Sequence, residues 1–256
     1  MASQTSDPGM YVSDLAQAEE FANRPVREHA AEREAEALRR LARVFADQPE
    51  DILQELVDTA LELCEADSSG ISLREGDKFR WIVTAGKFSR FVNGGTPRDF
   101  SPCGTCLDRN APQLFRVNQT YYDYLGIIAE PVEDGILIPW RVDDTEGTIW
   151  VVSHSEAHRF DREDYRLVQS LSDFSAIAIR HRNNQAMLME QEKLAAVTKL
   201  VNELAHRINN PLQSLTNLVY LASKSEGAEA KALGREMSAD LTSLTDLVKR
   251  ILTLPT

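Results

Sequence analysis

Positive charge is scarce in this sequence. Lys and Arg number 28 against 40 Asp and Glu, a formal net charge of −12, and no basic stripe runs along any segment. Such a chain is poorly suited to neutralising a phosphate backbone, so no nucleic-acid partner is expected. Long apolar runs are missing too: residues 135–140 and 148–152 fall far below the roughly 20 residues of a membrane-spanning helix. The first dozen residues are polar, with Asp7-Pro8-Gly9, and show no secretory signal. The three cysteines, Cys64, Cys103 and Cys106, cannot all pair and are too few for a disulfide scaffold. What is present is an ordinary globular mix, 43% hydrophobic and 27% charged over 256 residues, enough for one large domain or two smaller ones. The expectation is a soluble, cytoplasmic protein with no membrane partner.

Residues 1–27, broken by Pro8, Gly9 and Pro25, read as a tail. Over 28–45, Leu38, Leu41, Val44 and Phe45 recur at helical spacing. Asp47-Gln48-Pro49 interrupts, and Ile52, Leu53, Leu56, Val57, Ala60, Leu61 and Cys64 give a second helix a broad apolar face. Strands follow at 70–74 and 79–85, with Gly76-Asp77 as the turn. Residues 87–100, with Gly94, Gly95 and Pro97, read as a mobile loop. Ser101 and Pro102 suit the N-cap and first position of a short helix. Two further strands, 135–142 and 147–154, are joined by Asp143-Asp144-Thr145-Glu146.

A sharp boundary comes next. Asp161 and Asp164 have the spacing of a capping box, with Phe160 and Tyr165 as its hydrophobic staple. No Gly or Pro then occurs until Pro211, and no Gly until Gly227. A helix over 161–223 would be roughly 95 Å long at the standard rise and must leave the first domain. Leu194, Val197, Val201, Leu204, Ile208, Pro211, Leu215, Leu218 and Ala222 follow one another in steps of three and four, a heptad seam. Leu233, Met237, Leu241, Leu244, Val248 and Ile251 repeat the pattern on a second helix. Two such helices expose an apolar stripe that a second chain would close into a four-helix bundle, so a homodimer is expected. The division is a tail (1–27), a first domain (28–185) and a helical hairpin (186–256).

The heptad register puts His206 at the outermost position. An exposed helical histidine is ordinarily a solvated surface residue, but Pro211 follows it inside the same helix. A mid-helix proline removes the hydrogen bond to the carbonyl of Arg207 and costs about 3 kcal/mol, so the backbone there is either shaped for a purpose or kinked by packing.

The run Glu203-Leu204-Ala205-His206-Arg207-Ile208-Asn209-Asn210-Pro211-Leu212 resembles the H-box of bacterial sensor histidine kinases, and the resemblance extends over 188–252. It implies that His206 accepts the γ-phosphoryl of ATP and passes it to an aspartate of a response-regulator receiver domain. It also implies that Asn210 helps position water for dephosphorylation. A neutral imidazole is a competent nucleophile near pH 7. Where the family has Glu or Asp directly after the histidine, this chain has Arg207, a fixed cation that cannot act as a base. Arg207 could instead pair with phosphoryl oxygens, and Glu203, one turn earlier, could take the imidazole proton. The family's ATP-binding domain carries Asp-x-Gly-x-Gly motifs, and this sequence contains no Gly-x-Gly. ATP would therefore act only through a partner catalytic domain, supplied in trans or in a longer chain. Whether the chain is itself an enzyme stays open.

The first domain reads as α+β. Its residues 70–73, Ser101-Pro102-Cys103-Gly104, Leu137-Ile138-Pro139, 147–152 and Phe160-Asp161 through Asp164 resemble the GAF sensor module. The resemblance implies a sheet with a pocket covered by 87–124. The ligand is unknown. Cys103 and Cys106 are the candidates for a cofactor contact, since a Cys-x-x-Cys pair serves metal, redox or plain turn roles. A zinc site needs two more ligands, so no metal is expected. Neither cysteine precedes a histidine, the pattern of bilin-bearing relatives. Trp81, Trp140 and Trp150 lie in strand-like runs and read as core. Two functions stand: a phosphoacceptor protein in which the sensor controls His206, or a non-enzymatic dimeric adaptor that docks on other signalling proteins.

Overall fold

The computed structural model describes residues 9–27, 31–224 and 226–252. The expectations placed on Pro8, on Glu28 and on the Ile251 side chain lie outside the described residues. The chain divides into two compact units, the first ending at Gln185 and the second beginning at Ala186.

The first unit is built on a seven-stranded antiparallel sheet. Its strands are β1 (Met10–Asp14), β2 (Ser68–Glu75), β3 (Lys78–Gly86), β4 (Gly95–Pro97), β5 (Gln113–Val117), β6 (Val132–Val142) and β7 (Thr145–Ser153), in the order β1-β5-β6-β7-β2-β3-β4. The helices of this unit are α1 (Glu19–Ala22), α2 (Ala31–Asp47), α3 (Ile52–Leu63), α4 (Pro102–Arg109), α5 (Gln119–Leu125) and the first part of α6 (Arg162–Ala222). The expected α+β class holds.

Strand alternation sorts the apolar residues onto two faces. Ile136, Ile138, Ile149 and Val151 join a core with α3 and α6, where Leu56, Val57, Ala60, Leu167, Val168, Leu171, Ala178 and Ile179 recur every three or four residues. Each of the fully buried Val, Leu and Ile side chains contributes about 1.5–3 kcal/mol. Leu137, Trp150 and Val152 point to the other face, into a second core shared with α4 and α5.

Several local readings are met in atomic detail. The Ser101 hydroxyl accepts from the Gly104 N–H at 3.0 Å, with Pro102 at the first helical position. Asp161 and Asp164 form a reciprocal box. Asp161 Oδ1 accepts from the N–H of Glu163 (2.8 Å) and of Asp164 (3.3 Å), and Asp164 Oδ2 accepts from the N–H of Asp161 (2.8 Å). Phe160 is fully buried, and Tyr165 packs against the same core.

Two expectations are corrected. The described part of the 1–27 segment is not a tail. β1 adds to the sheet edge beside β5, Met10 opposite Val117 and Asp14 opposite Gln113, and Leu15 and Phe21 are buried. Arg24 reaches Asp134 with both terminal nitrogens, at 2.7 and 2.8 Å, and donates to the Phe160 carbonyl at 2.6 Å. The Arg27 N–H donates to Asp161 at 2.7 Å, and its guanidinium pairs with Asp164. Five residues with only Met10 and Val12 facing inward are too short a pattern to outweigh Gly9 and Pro25. Likewise 87–100 is not simply a loop. It holds a single 3-10 turn, Ser89–Phe91, and the edge strand β4, with Thr96 opposite Phe79. Glycine is required there because a Cβ on Gly95 would lie 1.8 Å from the Phe79 carbonyl oxygen, and Pro97 is tolerated because the strand is an edge.

The second unit contains the rest of α6 and α7 (Ala228–Leu252), joined through Gly227 at φ +70°. Helix α6 continues through Pro211 for 61 residues in all. In this unit Leu204, Ile208, Pro211, Leu215 and Ala222 are half-buried and Leu218 is buried, in steps of four and three. Leu233, Met237, Asp240 and Leu244 form the matching half-buried row on α7. Leu241 and Val248, expected in the seam, are exposed, as are Leu194, Val197 and Val201. One hairpin covers only a narrow, short stripe, and these residues lie outside it. No described helix is long and apolar enough to cross a membrane.

Candidate functional site

The second face of the sheet encloses a cavity of about 50 Å³, within a crevice of about 460 Å³ when its open mouth is included. β3, β6 and β7 supply Trp81, Leu137, Trp150 and Val152. Phe88 and Thr96 come from the segment read as loop, Pro102 and Cys103 from α4, and Tyr121 and Tyr122 from α5. None of the lining side chains is charged. Trp81 and Trp150 are core residues as expected, and also walls of this cavity. Trp140 belongs to the opposite face.

One wall is fixed by a buried polar chain. The Trp150 indole N–H donates to the Ser72 hydroxyl at 3.0 Å. The Cys103 thiol lies 3.6 Å from that oxygen, and Thr148 donates to the Cys103 sulfur at 3.3 Å. The Trp150 ring covers Gly70, its cross-strand partner, where a Cβ would meet ring carbons at 2.3 and 2.8 Å. Tyr121 donates from its hydroxyl to the Phe100 carbonyl at 2.9 Å. Thr96 differs: its residue is 7% exposed, and its hydroxyl has no partner among the described residues.

Cys103 and Cys106 do not face a common centre. Cys106 points to the carbonyls of Ala111 (3.4 Å) and Leu137 (3.7 Å) rather than to the Ser72 and Thr148 hydroxyls. All three cysteines are free and buried, and burial pushes each thiol up from its ordinary range. A thiol so held is protonated at neutral pH and a poor nucleophile. We expect a thiol reagent at pH 8 to leave all three cysteines unmodified in the native protein, with three equivalents reacting on denaturation. Rapid native labelling of Cys103 or Cys106 would contradict this geometry. Among the described residues no group of three or more His, Cys, Asp or Glu could hold a metal ion.

In the second unit His206 is exposed, as are Glu203, Arg207 and Asn210. Glu203 and Asn210 lie three residues before and four after the histidine, on the same helical face. Among the described residues none of these four side chains makes an ion pair or side-chain hydrogen bond with another. The imidazole is therefore open to a docking partner, while Leu204, Ile208 and Pro211 turn toward the seam.

The stretch 179–191, with Ile179, Asn183, Met187 and Glu190, is less apolar than the bundle, which predicts a connecting helix able to take two registers. Ile179 is instead fully buried in the first unit, and Asn183 donates to the Thr145 hydroxyl at 3.2 Å. Only Met187 and Glu190 are exposed.

Residues 46–180, more than half of the chain, match the GAF domain model. The GAF domain from a phosphoenolpyruvate-protein phosphotransferase of Coxiella burnetii is similar at a TM-score of 0.50 and 18% identity, covering 61% of this chain and 98% of that one. A GAF domain from an Acinetobacter phosphoenolpyruvate-protein phosphotransferase gives 0.48 and 14%, over 60% and 97%. The phycoerythrobilin-bound GAF domain from a cyanobacterial phytochrome gives 0.46 and 14%, over 61% and 100%. The first of these supports a shared fold, and at such identities none carries an activity across. No curated protein matches the sequence.

Proposed function

This chain belongs to the GAF domain family, a premise from which we propose that it is a sensor and phosphoacceptor protein of two-component signalling. In this reading the GAF unit controls phosphorylation of His206 and onward transfer to a response-regulator aspartate. The observation that carries it is an exposed imidazole one turn ahead of Asn210 and five residues ahead of a mid-helix proline, on a helix whose opposite side is half-buried. The imidazole nitrogen attacks the γ-phosphorus of ATP as the bond to ADP breaks, and the receiver carboxylate later takes the phosphoryl group. ATP is held by a partner catalytic domain. In this reading Arg207 pairs with phosphoryl oxygens, and Glu203 accepts the imidazole proton.

Dimerisation belongs to the same proposal. Leu194, Val197, Val201, Leu241 and Val248 form exposed apolar positions on the two helices, and a second copy would cover them as a four-helix bundle. Helix α6 contains both sensor-core residues and His206, so a rotation or slide along it is the proposed route of control.

The test incubates the protein with a separately expressed kinase ATP-binding domain and radiolabelled ATP. The expected outcome is acid-labile label on the native chain and its complete loss in His206→Gln. Equal label in the variant would exclude His206. Arg207 favours the second reading, a dimeric adaptor that never carries phosphate. Absence of label with every donor, together with stable binding to a receiver domain, would favour that reading.

A further inference from the structure

We propose that the cavity of the GAF unit takes a small, uncharged, planar aromatic molecule bearing one hydrogen-bonding group, of the phenol class. This rests on reading the unit as a ligand sensor and supplies the ligand chemistry that reading lacks. Three observations carry it.

The first is electrostatic. No charged side chain lines the cavity, so a carboxylate, phosphate or cyclic nucleotide would be desolvated there without a counter-charge, which is prohibitive. The second is shape. Trp81, Phe88, Tyr121 and Trp150 present aromatic rings to one space, and rings favour stacked or edge-on contact with another ring. The enclosed space, about 50 Å³ and open at its mouth, is far short of what a large chromophore needs on every side.

The third is an unmet bond. Thr96 lines the cavity, is more than nine-tenths buried, and its hydroxyl has no partner, whereas the Tyr121, Trp150 and Cys103 polar atoms are already engaged. A buried hydroxyl left unpaired is destabilising. A phenolic hydroxyl can both donate to and accept from a threonine hydroxyl.

The probes are phenol, toluene and benzoate, titrated against the full chain and against Thr96→Val while tryptophan emission and Tm are followed. Phenol is expected to bind saturably and raise Tm. Toluene should bind about three- to tenfold more weakly, the worth of one hydrogen bond, and benzoate should leave both readouts unchanged. In Thr96→Val, phenol should fall to the affinity of toluene, and the unliganded variant should keep or raise its Tm. The proposal is overturned by any of three results: no saturable binding of phenol or toluene, benzoate binding as well as phenol, or unchanged phenol affinity in Thr96→Val. Loss of stability in the unliganded variant would also overturn it, since the hydroxyl would then have a structural partner. Phenol binding that leaves His206 labelling unchanged would sink the sensor coupling and not the ligand class.

Discussion

Arg24→Met is expected to destabilise the first unit by about 3–5 kcal/mol, the range for stranding one member of a buried ion pair. The Asp134 side chain is fully buried and that of Arg24 is 9% exposed. Asp134 also accepts from the Phe160 N–H at 3.0 Å, and its second cation, Arg159, stands 3.5 Å away. With Arg24 gone, the carboxylate keeps one N–H and one distant charge in an apolar surround. Typical domains have only 5–15 kcal/mol in total, so the variant should melt roughly 10 °C lower, at about 2–4 °C per kcal/mol for a unit of this size. The control is Arg24→Met with Asp134→Leu. Since most of the loss is the stranded charge, the double variant should be more stable than the sum of the singles by at least about 1 kcal/mol in urea titrations. A single-variant loss below 1 kcal/mol would show that water replaces the guanidinium.

Gly70→Ala is the second large effect. Its Cβ would fall 2.3 Å from the Trp150 ring, and the ring cannot yield easily because its N–H is tied to Ser72. Displacing it combines overpacking, about 1–3 kcal/mol, with a lost buried hydrogen bond of about 1 kcal/mol. A loss of roughly 2–4 kcal/mol is expected, with a red shift of tryptophan emission as the indole leaves its apolar slot. Trp150→Ala in the same chain should recover part of the added loss, because the clash then has no partner. An unshifted emission spectrum would mean that the backbone moves instead of the ring. Phe115 on Gly135 and Trp140 on Gly147 repeat the arrangement, each ring lying across a glycine directly opposite in the next strand. Aromatic cover of strand glycines is a known means of filling the gap they leave.

These contacts mark where sequence reading stops. The β2–β3 and β6–β7 hairpins, the Ser101 cap, the Asp161–Asp164 box and the length of α6 are all local signals, set by residues within a few positions of one another. The outward placement of His206 is local too, because heptad phase follows from spacing alone. β1, β4 and β5 escaped because three to five residues carry too little alternation, and the partner of β1 lies about a hundred residues along the chain. The cavity escaped for a different reason. In 149–152 every residue is apolar, so only the pairing register decides that Trp150 faces the cavity while Ile149 and Val151 face the helices. Arg24 and Asp134 carry no local sign of their pairing across 110 positions.

That separation bears on how the polypeptide is made. Synthesis releases Met10–Asp14 about a hundred residues before β5, the strand it will pair with. During that interval the emerging strand has no ladder to join, and Arg24 has no carboxylate to meet. Closing so long a loop is entropically slow relative to forming the hairpins in between. The amino-terminal strand therefore cannot pair until β5 is released, and a ribosome-stalled chain ending before residue 113 would leave it exposed to chaperones.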